Sequence, residues 1–274
     1  MVDKFPGVAI LGAGNMGGAI LAGLKPRASA DNPIRVTTAS EASAHELASE
    51  IVMAKSLEKD PHSNPWAVEQ AEIVVLGVKP YYILGLLSEI APHARPDAVM
   101  VSIAAGITIS QLEAVWPGAV IRTMPNTPAQ VGKGVTGMSV GSRVSSSQVA
   151  AVRSIFEAVG AVITVEESQI NALSAFSGSG PAFVYFFIER FVEAAEKFGF
   201  SKEEARVMVE GTFAGAMDLL EASGETPQAL REAVTSPGGT TQAALAVYEE
   251  ADLSAIIRVA SDAAIARAKE LAGD

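Results

Sequence analysis

The chain has 274 residues, 49% of them hydrophobic, a length and composition that suit one large or two modest domains. Its formal net charge of −11 at pH 7 argues against a nucleic-acid partner. Cysteine is absent, which excludes disulfides, a thiol nucleophile and thiolate metal sites. Without a membrane-length apolar run or a signal-peptide pattern, we expect no membrane partner and a cytoplasmic location.

The first motif in the chain is the glycine-rich turn GAGNMG, which follows a short apolar run and opens a helical pattern. In this context Gly12 permits the tight turn, Gly14 allows a pyrophosphate to approach the backbone, and Gly17 allows close helix–strand packing. The helix N-terminus adds N–H groups and a positive dipole end. The pattern favours a dinucleotide site, and a structural turn is the alternative.

Strand and helix patterns then alternate along the first half of the chain. The predicted strands are IRVTTAS, EIVVLGVKP, AVMVSIAAGIT and AVIRTMPNTP, and EASAHELASE reads as a helix. Apolar strands separated by helices indicate a mostly parallel sheet covered on both faces. Ligands of such sheets lie at the carboxyl ends of the strands. The loops GVKP, AAGIT and MPNTP should therefore line a cofactor groove.

The end of the second strand bears on the choice of cofactor. NAD-specific sites usually place a carboxylate there, but this strand ends in small residues before Glu41. Thr38 and its neighbours leave room for a 2′-phosphate, although Arg35 lies toward the start of the strand. This favours NADPH, with NADH as the alternative.

The second half of the chain reads as helical from about Glu166. PAFVYFFIERFVEAAEKFGF is apolar on most of its faces, and Ser201 with Glu204 forms a capping-box pattern before another long helix. A helix that is apolar all round must be buried. These helices either pack on the first domain or interlock with a second copy, which we favour. We predict a Rossmann-type domain over residues 1–165 and an all-helical dimerisation domain over 166–274.

Acid–base chemistry is sparse in this sequence. The histidines, His45, His62 and His93, read as solvent-facing, and we expect no metal because no ligand cluster is present. Reduction of an imine suits such a site, because the C=N nitrogen is basic enough to be protonated near neutral pH. The protein then has mainly to position the substrate.

The loop SPGGTT, residues 236–241, is a candidate for that positioning. Glycine turns expose backbone N–H groups that bind anions such as a carboxylate. Ser236, Thr240 and Thr241 add hydroxyl donors. A plain connection between helices, with Ser and Thr as caps, remains the alternative from the loop alone.

Six stretches make the sequence resemble the pyrroline-5-carboxylate reductase family over nearly its whole length: GAGNMGGAI, VKP, AAGIT, MPNTPAQVGKG, ALSAFSGSGPAFVY and SPGGTTQAAL. The resemblance implies an α/β fold with an N-terminal Rossmann-type domain and a C-terminal helical domain that interlocks dimers, often as a ring of five dimers. It also implies reduction of L-1-pyrroline-5-carboxylate, a small-molecule substrate, to L-proline with NADPH or NADH.

The resemblance also assigns roles to individual positions. Thr241, hydrogen-bonded to the ring nitrogen, and Ser236 would be catalytic. The other substrate contacts would be Glu167, Gly239 and Thr240. The implied cofactor contacts include Leu11 and Ala13. Those with an assigned place are Gly12, Gly14, Asn15 and Met16 at the pyrophosphate, Thr38 and Asn64 at the adenine-side ribose and its phosphate, and Val78, Lys79, Pro80, Ala105 and Asn126 on the nicotinamide side. Ala233 and Thr235 depart from the Asn or Ser that family members often show before the SPGG loop.

Two other functions compete with this prediction. A reductase of β-hydroxy acids would need a lysine on the long helix after SGSGPA, and SGSGPAFVYFFIER has none. A redox-sensing regulator would bind a dinucleotide without turnover, and would leave the SPGGTT and SGSGPA loops without a purpose.

Overall fold

A computed structural model of the chain describes residues 5–272. Its first half contains one eight-stranded sheet with strands in the spatial order β3-β2-β1-β4-β5-β6-β7-β8. The strands are β1 Val8–Leu11, β2 Ile34–Thr38, β3 Val52–Ser56, β4 Ile73–Leu76, β5 Val99–Ser102, β6 Ala119–Met124, β7 Gly134–Val140 and β8 Gly160–Thr164.

Helices follow or separate most of these strands and then make up the rest of the described chain. They are α1 Asn15–Leu24, α2 Glu41–Leu47, α3 Ser63–Val68, α4 Ile83–Ile90, α5 Ile109–Val115, α6 Ser146–Glu157, α7 Ile170–Leu173, α8 Gly180–Lys197, α9 Lys202–Ser223, α10 Pro227–Ala233, α11 Thr240–Glu250 and α12 Leu253–Ala272. A π-helix, Ser174–Gly178, lies between α7 and α8.

The sheet is parallel from β3 through β6, as expected. The order reverses between β1 and β4, so the carboxyl ends of these neighbours flank the crevice where doubly wound sheets bind ligands. Beyond β6 the pattern changes, because β7 runs antiparallel to β6 and β8 runs parallel to β7. The predicted class, a mostly parallel α/β sheet followed by a helical region, is confirmed.

The core lies on both faces of the sheet. Ile10 packs on one face with residues of α1 and α6, whereas its neighbour Leu11 packs on the other with residues of α3, α4 and α5. All four residues of β1 are buried, and so are all four of β4 and of β5. Burial on both faces explains why these strands read as continuous apolar runs.

Packing divides the chain into two units. The first contains the residues up to Ser179 together with those from Ala264 onward, and the second is Gly180–Ala263. The domain boundary between residues 165 and 166 stays a prediction. In the second unit α8 packs on α9, and the rings of Phe191 and Phe213 meet edge to face at 5.6 Å. The capping box of Ser201 and Glu204 at the start of α9 is present as predicted. In residues 5–272 we find no helix that could span a bilayer.

Candidate cofactor and substrate sites

The glycine turn after β1 is tied directly to the end of β2. Gly12 has a φ of 88°, in the region that favours glycine. Its N–H and that of Ala13 both donate to the carbonyl oxygen of Thr37 at 3.1 Å. A Cβ on Gly12 would come within 2.9 Å of Val78 Cγ1, so the turn also fits closely against the loop after β4. The turn has little freedom to move away from either neighbour.

Gly17 and Gly14 have different surroundings, as expected if one packs against the turn and the other faces a bound dinucleotide. A Cβ on Gly17 would lie 2.6 Å from the carbonyl oxygen of Gly12, so Gly17 permits close packing of α1 on the turn. A Cβ on Gly14 would meet no atom within 4 Å. Gly14 is the N-cap of α1 and supplies no side-chain acceptor, so no side-chain cap occupies the first N–H groups of the helix. Uncapped helix N-termini of this kind suit anions such as phosphate, and the pyrophosphate contact at Gly14 stays a prediction.

The side chains predicted to contact the cofactor at the end of β2 form hydrogen bonds within the protein. The buried Thr38 hydroxyl donates to the carbonyl oxygen of Ser40 at 2.8 Å. The Thr37 hydroxyl donates to Asn64 Oδ1, also at 2.8 Å. Arg35 donates to the carbonyl oxygen of Trp66, so it does not serve the carboxyl end of the strand.

The nicotinamide-side candidates in the loops after β4 and β5 lie at the same edge of the sheet, because all these strands are parallel. Lys79 and Ala105 are exposed there, and Val78 and Pro80 are half-buried. Gly77, the first residue of the predicted GVKP loop, was not among the individual candidate residues. Its N–H donates to the carbonyl oxygen of Leu11 at 2.8 Å, and a Cβ on Gly77 would lie 2.6 Å from the carbonyl oxygen of Gly12. Its position directly before the VKP motif was the sequence feature that could have identified it.

Asn126, predicted to contact the cofactor, makes internal bonds at both ends of its amide. Its Nδ2 donates to the carbonyl oxygen of Ser177 at 3.0 Å, and its Oδ1 accepts from the N–H of Val135 at 2.8 Å. The side chain is 7% exposed. Asn126 therefore joins the loop after β6 to β7 and to the π-helix that precedes α8.

Glu167 also makes internal contacts. Its Oε1 accepts from Arg122 Nη1 at 3.0 Å and from the N–H of Ile109, the first residue of α5, at 2.7 Å. Arg122 is 4% exposed, and its Nε is buried without a hydrogen-bond partner in the described chain. The carboxylate thus compensates a buried cation and ties β6 to the start of α5. Substrate binding by Glu167 remains a prediction.

The SPGGTT loop belongs to the second unit and leads into α11. Gly238 has a φ of 71°, and the N–H of Gly239 donates back to the carbonyl oxygen of Ser236 at 3.0 Å. Gly239 is the N-cap of α11 and offers no side-chain acceptor. The N–H groups of Thr240 and Thr241 at the start of α11 precede the first hydrogen bond to the Gly239 carbonyl oxygen, which Ala243 donates, so they are available to a ligand.

Side chains around this loop support its shape. A Cβ on Gly239 would collide with the Ser236 hydroxyl. Gln242 Oε1 accepts from the N–H of Gly238 at 2.6 Å and so fixes the turn. Gln242 was missed by the sequence analysis, although a glutamine at the third helical position is a known capping signal. Ser236 and Thr240 are exposed, and Thr241 is half-buried.

The histidines of the chain all lie at the surface of the first unit. His45, His62 and His93 are exposed on α2 and in loops, as expected. The described residues contain no cluster of three or more His, Asp or Glu side chains suited to a metal ion.

Comparison with known families assigns both halves of the chain. Residues 167–271 match the family model for pyrroline-5-carboxylate reductase dimerisation, and residues 7–106 match the model described as NADP oxidoreductase, coenzyme F420-dependent. The pyrroline-5-carboxylate reductase of Pseudomonas aeruginosa is 36% identical over 271 residues, which cover 97% of each chain. The chain belongs to the pyrroline-5-carboxylate reductase family.

Other members of the pyrroline-5-carboxylate reductase family agree in sequence and in structure. The enzyme of Corynebacterium melassecola is 35% identical, over 96% of this chain and 98% of its own. The solved structure of the Coxiella burnetii reductase has a TM-score of 0.87 at 34% identity and covers 97% of this chain and 98% of its own. The Plasmodium falciparum reductase, solved with NADP bound, has a TM-score of 0.80 at 27% identity, over 98% and 99% of the two chains.

Proposed function

We propose that this chain reduces the C=N bond of L-1-pyrroline-5-carboxylate to give L-proline, with NADPH as reductant and NADH as the alternative. The observation that carries the proposal is a pair of helix N-termini without side-chain caps, at Gly14 before α1 and at Gly239 before α11. One suits the phosphates of a dinucleotide, and the other suits a carboxylate. Family membership over nearly the whole chain supports both assignments.

In this proposal the first unit binds the cofactor, which supplies a hydride when bound. The N–H groups of Asn15 and Met16 hold the pyrophosphate above the open face of Gly14. Thr38 and Asn64 serve the adenine-side ribose. The remaining contacts, on the nicotinamide side, are Val78, Lys79, Pro80, Ala105 and Asn126. Because the amide of Asn126 is bonded internally at both ends, it acts by holding its loop in place.

The SPGGTT loop binds the substrate. The N–H groups of Thr240 and Thr241 and the Ser236 hydroxyl hold the carboxylate, and the Gly239 backbone shapes the turn. The hydroxyl of Thr241 lies at the ring nitrogen, where it orients the imine and stabilises its proton. A protonated imine accepts a hydride without a strong acid from the protein, which fits the absence of histidine from this half of the chain. Glu167 remains a candidate substrate contact through Oε2.

The chain functions as a homodimer formed by its helical half. None of the 18 residues of α8 is buried within the single chain, although Phe183, Val184, Tyr185, Phe186 and Phe187 follow one another on it. Exposed apolar surface on this scale marks an interface. The match to a dimerisation family supports a second copy as the partner. Assembly of five such dimers into a decamer, and a cytoplasmic location, are further parts of the proposal.

The test of this function is turnover of the purified protein with each candidate substrate. With NADPH, we expect L-1-pyrroline-5-carboxylate to cause loss of the reduced-cofactor absorbance, and no loss with β-keto acids, the substrates that a β-hydroxy-acid reductase would reduce. Binding of NADPH without turnover of any imine would instead indicate the redox-sensing regulator. Thr241→Ala is the matched variant, because it retains the cofactor site while lacking the proposed substrate hydroxyl.

A further inference from the structure

If the cofactor is NADPH, the contacts at the end of β2 described above provide no positive charge to bind its 2′-phosphate. The 2′-phosphate that distinguishes NADPH from NADH is an anion and binds best to cationic donors. Thr38 donates its hydroxyl to the carbonyl oxygen of Ser40, and Arg35 is bonded to the carbonyl oxygen of Trp66. Neither of them supplies positive charge where β2 ends.

A short turn after β3 brings a lysine to this place. The N–H of Leu57 donates to the carbonyl oxygen of Thr38 at 2.9 Å, and the N–H of Glu58 donates to that of Ala39 at 3.2 Å. These two bonds fix the turn against the end of β2. The next residue of the turn is Lys59, whose own N–H donates to Ser56 Oγ at 3.2 Å.

Lys59 is paired with the first carboxylate after β2. Its Nζ lies 2.6 Å from Glu41 Oε1, and the N–H of Glu41 donates to Glu58 Oε2 at 2.8 Å. The Lys59 and Glu41 side chains are 70% and 57% exposed, so an incoming anion can reach the ammonium group. The hydrogen bond and the charge of Glu41 raise the pKa of Lys59 above its usual value, which keeps the group cationic.

The end of β2, which flanks this ion pair, is also hydrogen-bonded to the dinucleotide turn. The carbonyl oxygen of Thr37 accepts from the N–H groups of Gly12 and Ala13, and Thr38 is the next residue along β2. A cofactor whose pyrophosphate lies on the glycine turn therefore has its adenine-side ribose at the end of β2. Glu41 follows three residues after Thr38.

We propose that Lys59 binds the 2′-phosphate of NADPH and that Glu41 competes with the phosphate for it, so that this pair sets the preference of the enzyme for NADPH over NADH. The inference rests on the proposed function, since it concerns the cofactor of that reaction. When the phosphate binds, Nζ exchanges one anionic oxygen acceptor for another. Glu41 then remains as a nearby negative charge, which limits the preference for the phosphorylated cofactor.

Lys55 provides a matched control for the charge of Lys59. Lys55 lies on β3, the strand that leads into the turn with Lys59. Its Nζ lies 4.3 Å from the centroid of the Trp66 ring and 3.8 Å from Asp60 Oδ2. Lys55→Gln removes the same charge as Lys59→Gln from a similar place. A general effect of net charge on anion binding would appear equally in both variants.

The test is calorimetric binding of NADP⁺, NAD⁺, adenosine 2′,5′-bisphosphate and adenosine 5′-monophosphate to the full-length protein. For Lys59→Gln we expect the affinity for NADP⁺ and the bisphosphate to fall about 5- to 50-fold, and the affinity for NAD⁺ and the monophosphate to change less than about twofold. Glu41→Gln should raise NADP⁺ affinity about two- to fivefold. Lys55→Gln should leave the ratio of NADP⁺ to NAD⁺ affinity as in the wild type.

Two results would overturn the assignment. Equal losses in Lys59→Gln and Lys55→Gln would mean that only overall charge matters, and unchanged NADP⁺ affinity in Lys59→Gln would mean that the phosphate binds elsewhere. In both cases a wild-type protein that binds NADP⁺ leaves the proposed function standing. A wild-type protein that binds none of the four ligands would overturn this inference together with the cofactor site.

Discussion

The same substitution at two glycines of one turn should have opposite consequences, because their surroundings differ. Gly14 has φ −72° and ψ −160°, which any residue adopts, and a Cβ there meets no atom within 4 Å. Gly14→Val should therefore cost at most about 1 kcal/mol of folding stability, since the glycine cap has no side-chain bond to lose. The isopropyl group would occupy the face where the pyrophosphate approaches. We expect cofactor affinity to fall about 10- to 1000-fold, or about 1.4–4 kcal/mol.

Gly17→Val should instead destabilise the fold. Its Cβ would lie 2.6 Å from the carbonyl oxygen of Gly12 and 3.3 Å from Ile10 Cγ2, and the first of these is backbone that cannot rotate away. Overpacking of this kind costs about 1–3 kcal/mol. For a chain of this length that lowers Tm by about 2–12 °C.

The assay combines thermal unfolding with calorimetric titration of NADPH for the wild type and both variants. The expected pattern is a near-normal Tm with lost binding for Gly14→Val, and a lowered Tm for Gly17→Val. Wild-type NADPH affinity in Gly14→Val would refute the dinucleotide reading of the turn. A wild-type Tm in Gly17→Val would refute the packing argument.

Substitutions at four further positions test the substrate loop, the Glu167 ion pair and the helical interface. Thr241→Ala should lower kcat/KM about 10- to 1000-fold, whereas Thr241→Ser, which keeps the hydroxyl, should retain much of the activity. Ser236→Ala should raise KM more than it lowers kcat, because a carboxylate anchor acts alike in the ground and transition states. Glu167→Gln should lower Tm by about 2–12 °C, since it leaves the buried Arg122 without its carboxylate at a cost of about 1–3 kcal/mol after allowing for partial exposure. If the proposed homodimer forms through α8, Val184→Asp should give a monomer in light scattering while far-UV circular dichroism stays unchanged.

Each of these variants has an outcome that contradicts the account. Normal turnover by Thr241→Ala would reduce the loop to a helix connector, and an unchanged KM in Ser236→Ala would remove the hydroxyl from the carboxylate site. A wild-type Tm for Glu167→Gln would mean that its bond to Arg122 adds little. A Val184→Asp protein that stays dimeric would exclude this part of α8 from the interface.

The sequence predicted best where local chemistry and global fold require the same residues. The glycine motif was recognisable because Gly12, Gly14 and Gly17 each have a local structural reason to be glycine. The buried strands β1, β4 and β5 were recognisable because each is a continuous apolar run. The capping box at Ser201 is likewise a local interaction between residues three apart. Such features need no knowledge of distant contacts.

Long-range contacts were not predictable in the same way. β3, β7 and β8 were missed. β3 and β8 are edge strands, β8 has three exposed residues of five, and β7 contains two glycines. The bonds of Asn126 to Val135 and to Ser177 join residues 9 and 51 positions apart, so nothing local indicates them. The ion pair of Lys59 with Glu41 depends in the same way on how two neighbouring strands end.

Isotope labelling can follow the transfer of a hydride from the reduced cofactor to the imine carbon of L-1-pyrroline-5-carboxylate. The most direct measurement uses NADPH carrying deuterium at the transferable position of nicotinamide C4, followed by mass and NMR analysis of the product. We expect L-proline with one deuterium at C5, formed about 10- to 1000-fold more slowly by Thr241→Ala at low substrate concentration. Unlabelled proline, or consumption of the cofactor without formation of proline, would contradict this hydride transfer.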